Sequence, residues 1–144
     1  MSNQASVNLS WEEDWKFTAA DAYGHTVTVD APMQDGDDFD GFKPTHLMMS
    51  ALGACTGVDV VSILKKKRQD VTGVGIRVTG TQEEEWPKEW TAFNVHYTVR
   101  GRGVDSKAVD RAIELSEGKS CSVGATLKGT ATITTSFEIV EDGG

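Results

Sequence analysis

Apolar and polar positions change their period along the chain, and the changes mark out its elements. Residues 7–18 and 25–30 read as two strands joined by a turn at 21–24. The second alternates Thr26, Val27, Thr28 and Val29 with the period of two that a half-buried strand needs. Residues 35–41 are a polar loop. Its spaced aspartates do not make a calcium loop, because aligning Asp38, Asp40 and Gly41 with that pattern puts Gly36 at the first ligand position and Leu47 where the closing glutamate belongs. Pro44 then starts a helix expected to run from about Thr45 to Lys67, since proline suits the first turn, where its missing N–H costs nothing. From Leu47 through Leu52, Val58 and Val61 to Leu64, apolar residues occupy nearly every face, which predicts a buried helix. Its charged end, Lys65-Lys66-Lys67-Arg68, complements the negative pole of the macrodipole.

Two more alternating strands follow. Val74, Ile76 and Val78 face away from Gly75, Arg77 and Thr79; Phe93, Val95, Tyr97 and Val99 face away from Asn94, His96, Thr98 and Arg100. The link between them holds Trp86-Pro87. Asp105 is an N-cap type of residue, Val109, Ala112 and Ile113 recur at helical spacing, and Gly118 is a favoured stop, so a second helix is expected there, with Cys121 just beyond. A last strand over residues 130–140 alternates Ala131, Ile133, Thr135, Phe137 and Ile139 with polar partners. The pattern predicts an α+β fold in a single domain, 1–144, without internal repeats.

Composition narrows the function. The chain of 144 residues carries a net charge of -8 with its acidic residues dispersed, which argues against nucleic acid and anionic membranes as partners. The apolar run at 47–64 approaches the length of a membrane span, but Ser50, Gly53, Thr56, Gly57, Asp59 and Ser62 interrupt it, so a core helix is expected instead. The first ten residues show neither a basic nor an apolar leader region, and a cytoplasmic location is expected. In that reducing compartment, two cysteines are more often free, catalytic or redox-sensing than a permanent staple. They lack C-x-x-C spacing and the three histidines are scattered, so no zinc set is recognisable and no cofactor is expected.

The stretch Pro44-Thr45-His46-Leu47-Met48-Met49-Ser50-Ala51-Leu52-Gly53-Ala54-Cys55-Thr56-Gly57-Val58-Asp59-Val60-Val61 resembles the central helix of the OsmC/Ohr family. The stretch Lys119-Ser120-Cys121-Ser122-Val123-Gly124-Ala125-Thr126-Leu127 resembles that family's second cysteine segment, and the order of elements agrees over nearly the whole chain. The resemblance implies antiparallel sheets around a long buried central helix, an intertwined homodimer, and a peroxidase that reduces organic hydroperoxides. It implies that Cys55 attacks the peroxide and becomes a sulfenic acid, that Cys121 resolves it to a disulfide, and that a dithiol reductant resets the pair.

The residues themselves leave the activation of Cys55 open. The attacking species must be a thiolate, yet Cys55 lies about three turns into its helix, beyond the reach of the N-terminal dipole, and Asp59 one turn on would oppose ionisation. A cation from elsewhere is therefore expected. In the peroxidase members of the family an N-terminal arginine and a glutamate ten residues before the first cysteine serve this purpose. Here Thr45 holds the glutamate's place beside His46, no arginine precedes Arg68, and Lys16 is the one cation in the first strand pair. His46, Thr45 and Lys16 are thus the candidate supporting residues. An apolar pocket lined by Met48, Met49, Leu52 and aromatics such as Phe39, Phe42 or Trp86 would suit a peroxide, or a small apolar ligand of a non-catalytic binding domain.

Overall fold

The computed structural model describes residues 3–143, which divide into two compact units, Met1–Met48 and Met49–Gly144. The first is an antiparallel meander of β1 (Val7–Glu13), β2 (Lys16–Asp21) and β3 (Thr26–Asp30). The expected single strand over 7–18 is two strands. Asp14 takes a positive φ of 44°, which aspartate tolerates better than most residues, and its carbonyl accepts the Trp11 indole N–H at 3.0 Å. The turn between β2 and β3 forms as expected: one Asp21 oxygen accepts the backbone N–H groups of Tyr23 and His25, each at 2.9 Å. Beyond the polar loop, Phe42 bridges to β3. Gly41 is required there, because a Cβ would lie 2.7 Å from the Thr28 carbonyl oxygen.

α1 (Pro44–Lys66) begins at the expected proline, and the boundary between the units falls within it. In the second unit, β4 (Asp70–Gln82) and β5 (Trp90–Arg102) form a long antiparallel hairpin, and β6 (Thr132–Glu141) joins on the far side of β5. The α+β fold with two small sheets and a long helix is as expected, with one difference in strand direction: β6 runs parallel to β5. Parallel neighbours need a crossover. It is supplied by α2 (Ser106–Leu115), a π-helical turn (Ser116–Ser120) and α3 (Ser122–Leu127). Asp105 caps α2 as expected, its carboxylate accepting the Lys107 N–H. Gly118 does not stop the helix; the chain widens into the π-turn and continues past it. α3 was not expected.

The buried alternation Phe93, Val95, Tyr97 and Val99 of β5 forms the core of this unit with Leu52, Val60 and Leu64 of α1 and Val109, Ala112 and Ile113 of α2. Gly53 and Gly57, one turn apart, let α1 lie against β4: a Cβ on Gly53 would meet Val78 at 3.0 Å, and one on Gly57 would collide with the Ile76 δ-methyl. α1 is not buried on every face within the chain. Its covered stripe is Leu52, Gly53, Thr56, Gly57, Val60 and Leu64, while Val58 on another face is 69% exposed. The helix is long and apolar enough to cross a membrane, with a mean hydropathy of 1.8, but its stripe is engaged in this core.

Candidate thiol site

The second unit brings the two cysteines together. Cys55 is half-buried near the middle of α1; Cys121 is 4% exposed and is the N-cap of α3. The local chain explains the second placement. Cys121 has extended backbone angles, φ -85° and ψ 103°, so its Sγ turns back and accepts the Gly124 N–H at 3.2 Å, the role an aspartate or serine plays at other helix starts. Gly124 keeps the turn tight, since a Cβ there would stand 3.3 Å from that Sγ. Behind it, the Cys121 N–H donates to the Ser116 carbonyl at 3.1 Å, closing the π-turn.

The two thiols are hydrogen-bonded to each other and their acidities diverge. Burial pushes the Cys55 thiol up, but hydrogen bonds from the Val123 N–H, the Cys121 thiol, the Ser122 hydroxyl and the Ser122 N–H outweigh it, and the net pKa lies below the ordinary value. Burial pushes Cys121 up as well. There the bond to Cys55 adds to the rise, the Gly124 N–H opposes it, and the negative charges of Cys55 and Asp59 raise it further. Of the two thiols, Cys55 is therefore the more readily ionised and Cys121 the less.

This differs from the expectation that Cys55 needs an imported cation. The leading groups that stabilise its charge are neutral donors at the start of α3, an element the sequence pattern had hidden. Asp59 was expected to oppose ionisation of Cys55; its carboxylate instead accepts the Ser116 hydroxyl at 3.1 Å, and its charge is felt at Cys121. Tyr97, 1% exposed, is hydrogen-bonded to Thr56, and burial raises its pKa.

The supporting candidates all lie in the first unit. The Lys16 ammonium pairs with Asp40 at 3.2 Å and Glu13 at 3.5 Å. Thr45 is half-buried in the first turn of α1, and His46 is exposed and lines a groove of about 530 Å³ with Phe39 and Phe42. Trp86 is 83% exposed at the tip of the β4–β5 hairpin. His25 bonds to Asp21, and His96 on the outer face of β5 bonds to Ser136 and Glu138. Among the described residues, no group of three histidine, cysteine or acidic side chains is placed to hold a metal ion.

A family model described as OsmC-like protein matches residues 34–136. Protein YhfA of Escherichia coli is 38% identical over 134 residues, 93% of this chain and 97% of YhfA. A solved structure of a hypothetical protein from Aquifex aeolicus superimposes with a TM-score of 0.86 at 30% identity, covering 99% of this chain and 100% of that one. The organic hydroperoxide resistance protein OhrB of Bacillus subtilis shares the fold with a TM-score of 0.65 at 12% identity, over 94% of this chain and 98% of its own.

Proposed function

Because the chain belongs to the OsmC-like protein family, we propose that it is a thiol-dependent peroxidase that reduces organic hydroperoxides through a Cys55/Cys121 cycle. The observation that carries this is the asymmetry of the pair: hydrogen-bond donors around Cys55 lower its pKa, while burial and the bond to Cys55 raise that of Cys121 beside it. A relative in fold named for organic hydroperoxide resistance supports the same class of chemistry.

The cycle balances as follows. The Cys55 thiolate attacks the distal oxygen of ROOH; the S–O bond forms, the O–O bond breaks, and the departing alkoxide takes a proton to become ROH. The Cys121 sulfur then displaces hydroxide from the Cys55 sulfenic acid, and with its proton this leaves as water and a Cys55–Cys121 disulfide. A dithiol reductant returns two electrons and two protons through a mixed disulfide. Thiols alone carry these steps, without metal or organic cofactor. A reducing compartment such as the cytoplasm keeps the reductant charged.

A homodimer fits the surfaces left uncovered. Leu9 opposite Ala19 and Trp11 opposite Phe17 place an apolar face on the first sheet, where Leu9 and Trp11 are exposed, and Val58 lies bare on α1. An apolar groove of about 380 Å³ floored by Leu9, Phe17 and Leu47 favours a second reading, a domain that binds a small apolar ligand without turnover. Turnover of cumene hydroperoxide with a dithiol separates the two: consumption that disappears in Cys55→Ser supports the peroxidase, and binding without consumption in the wild type supports the binding domain.

A further inference from the structure

Cys121 can resolve a sulfenic acid only if it stays where Cys55 can reach it, and the turn that carries it is tied down at one buried point. Ser116 is 0% exposed and is the first residue of the π-turn. Its backbone carbonyl accepts the Cys121 N–H at 3.1 Å. Its hydroxyl reaches across to α1, 3.1 Å from the Asp59 carboxylate and 3.4 Å from the Thr56 carbonyl. Asp59 lies four residues beyond Cys55, one turn along the same helix face. A chain of contacts thus runs from the helix of the attacking cysteine, through Asp59 and Ser116, to the backbone of the resolving one.

We propose that Asp59 and Ser116 are positioning residues of the resolving step, clamping the Cys121 turn to α1 so that Cys121 stays within reach of Cys55. This rests on the thiol cycle above and adds to it how the second cysteine is kept in register. The hydroxyl supplies the mechanical link between the π-turn and α1, and disulfide formation demands a closely defined separation and angle. The carboxylate supplies the charge. The ionisable groups that interact with Cys121 are Cys55 and Asp59 from α1 and Tyr97 from β5, while Glu117 on the π-turn acts on Tyr97. Asp59 is the carboxylate that acts on Cys121, and it is the one bonded to Ser116.

Two variants separate the link from the charge. Asp59→Asn keeps an oxygen for the Ser116 hydroxyl and removes the charge; Ser116→Ala removes the link. With one equivalent of cumene hydroperoxide, Ser116→Ala should form the Cys55 sulfenic acid within about threefold of the wild-type rate but close the disulfide at least about tenfold more slowly, as misplaced reacting groups do. The sulfenic acid, labelled with dimedone, should then accumulate. Closure at the wild-type rate would overturn the link. In a Cys55→Ser background, thiolate absorbance against pH reports Cys121 alone, and Asp59→Asn should move its midpoint downward; an unmoved midpoint would overturn the role of the charge. Oxidation of the reduced pair by diamide, which closes the disulfide without a peroxide, keeps the test independent of turnover. Ser116→Ala should be slowed there even if the wild type consumes no hydroperoxide, an outcome that would remove the peroxidase and leave the clamp standing. Equal diamide rates in Ser116→Ala, Asp59→Asn and the wild type would remove the clamp. Thermal melts confirm that each variant is folded.

Discussion

If the start of α3 activates Cys55, deleting its donors one at a time should lower the reactivity of that thiol in steps. Ser122 is the first residue of α3 and offers two of the four donors, its hydroxyl and its backbone N–H. Ser122→Ala removes the hydroxyl. Ser122→Pro removes both, and the local backbone accepts it: the first helical position tolerates proline, and Cys121 before it is already extended at φ -85° and ψ 103°, as a residue preceding proline prefers. A hydrogen bond to a charged acceptor contributes about 1.5–3 kcal/mol when well buried. Cys55 is half-buried and Ser122 exposed, so solvent screening reduces this to about 0.7 kcal/mol per bond. Each deletion should then lower the thiolate population at neutral pH about threefold, and the pair of deletions about tenfold. The assay is the rate of Cys55 alkylation by iodoacetamide against pH, with the Cys55 peptide followed by mass spectrometry. Wild type, Ser122→Ala and Ser122→Pro should fall in that order and converge at high pH, where all three thiols are ionised. Three superimposable profiles would refute the role of these donors. A uniform offset that persists at high pH would refute it too, because that signals altered access rather than altered acidity.

Because the Cys55 pKa is depressed, its thiolate is present at lower pH than that of free cysteine; single-turnover peroxide consumption should hold to a correspondingly lower pH than oxidation of free cysteine, and a midpoint at or above the free thiol's would contradict the site. Gly57→Ala should cost about 1–3 kcal/mol in urea unfolding, since its Cβ collides with the Ile76 δ-methyl, and adding Ile76→Val, which deletes that methyl, should recover part of the loss; an equal loss in the double variant would place the strain elsewhere. Sedimentation should show a dimer in the wild type and a monomer in Leu9→Asp, which puts a charge on the apolar face of the first sheet; a monomeric wild type would reject the homodimer.

The fold was legible where a pattern is long. Twenty-three residues of α1 behind a first-turn proline, and two strands with strict alternation, left little room for another assignment. It was hidden where elements are short or where direction matters. Alternation says nothing about whether a strand runs parallel, although the helix between β5 and β6 is itself the sign of a crossover. α3 has six residues, too few to show a helical period, and its N-cap is a cysteine, which the usual cap residues do not include. Missing α3 led to the expectation of an imported cation, because the donors that surround Cys55 belong to it. Asp59 illustrates the limit of spacing: four residues along a helix places its Cα near Cys55, yet its carboxylate turns to a serine fifty-seven positions away.

The central claim is a division of labour between two cysteines, and intact mass after one equivalent of cumene hydroperoxide tests it most directly. The wild type should lose two hydrogens as the disulfide closes, Cys121→Ser should gain one oxygen on Cys55 that dimedone traps, and Cys55→Ser should remain unchanged. Unchanged mass in the wild type and in Cys121→Ser would contradict the account, as would oxygen found on Cys121 in Cys55→Ser at the rate of the wild type.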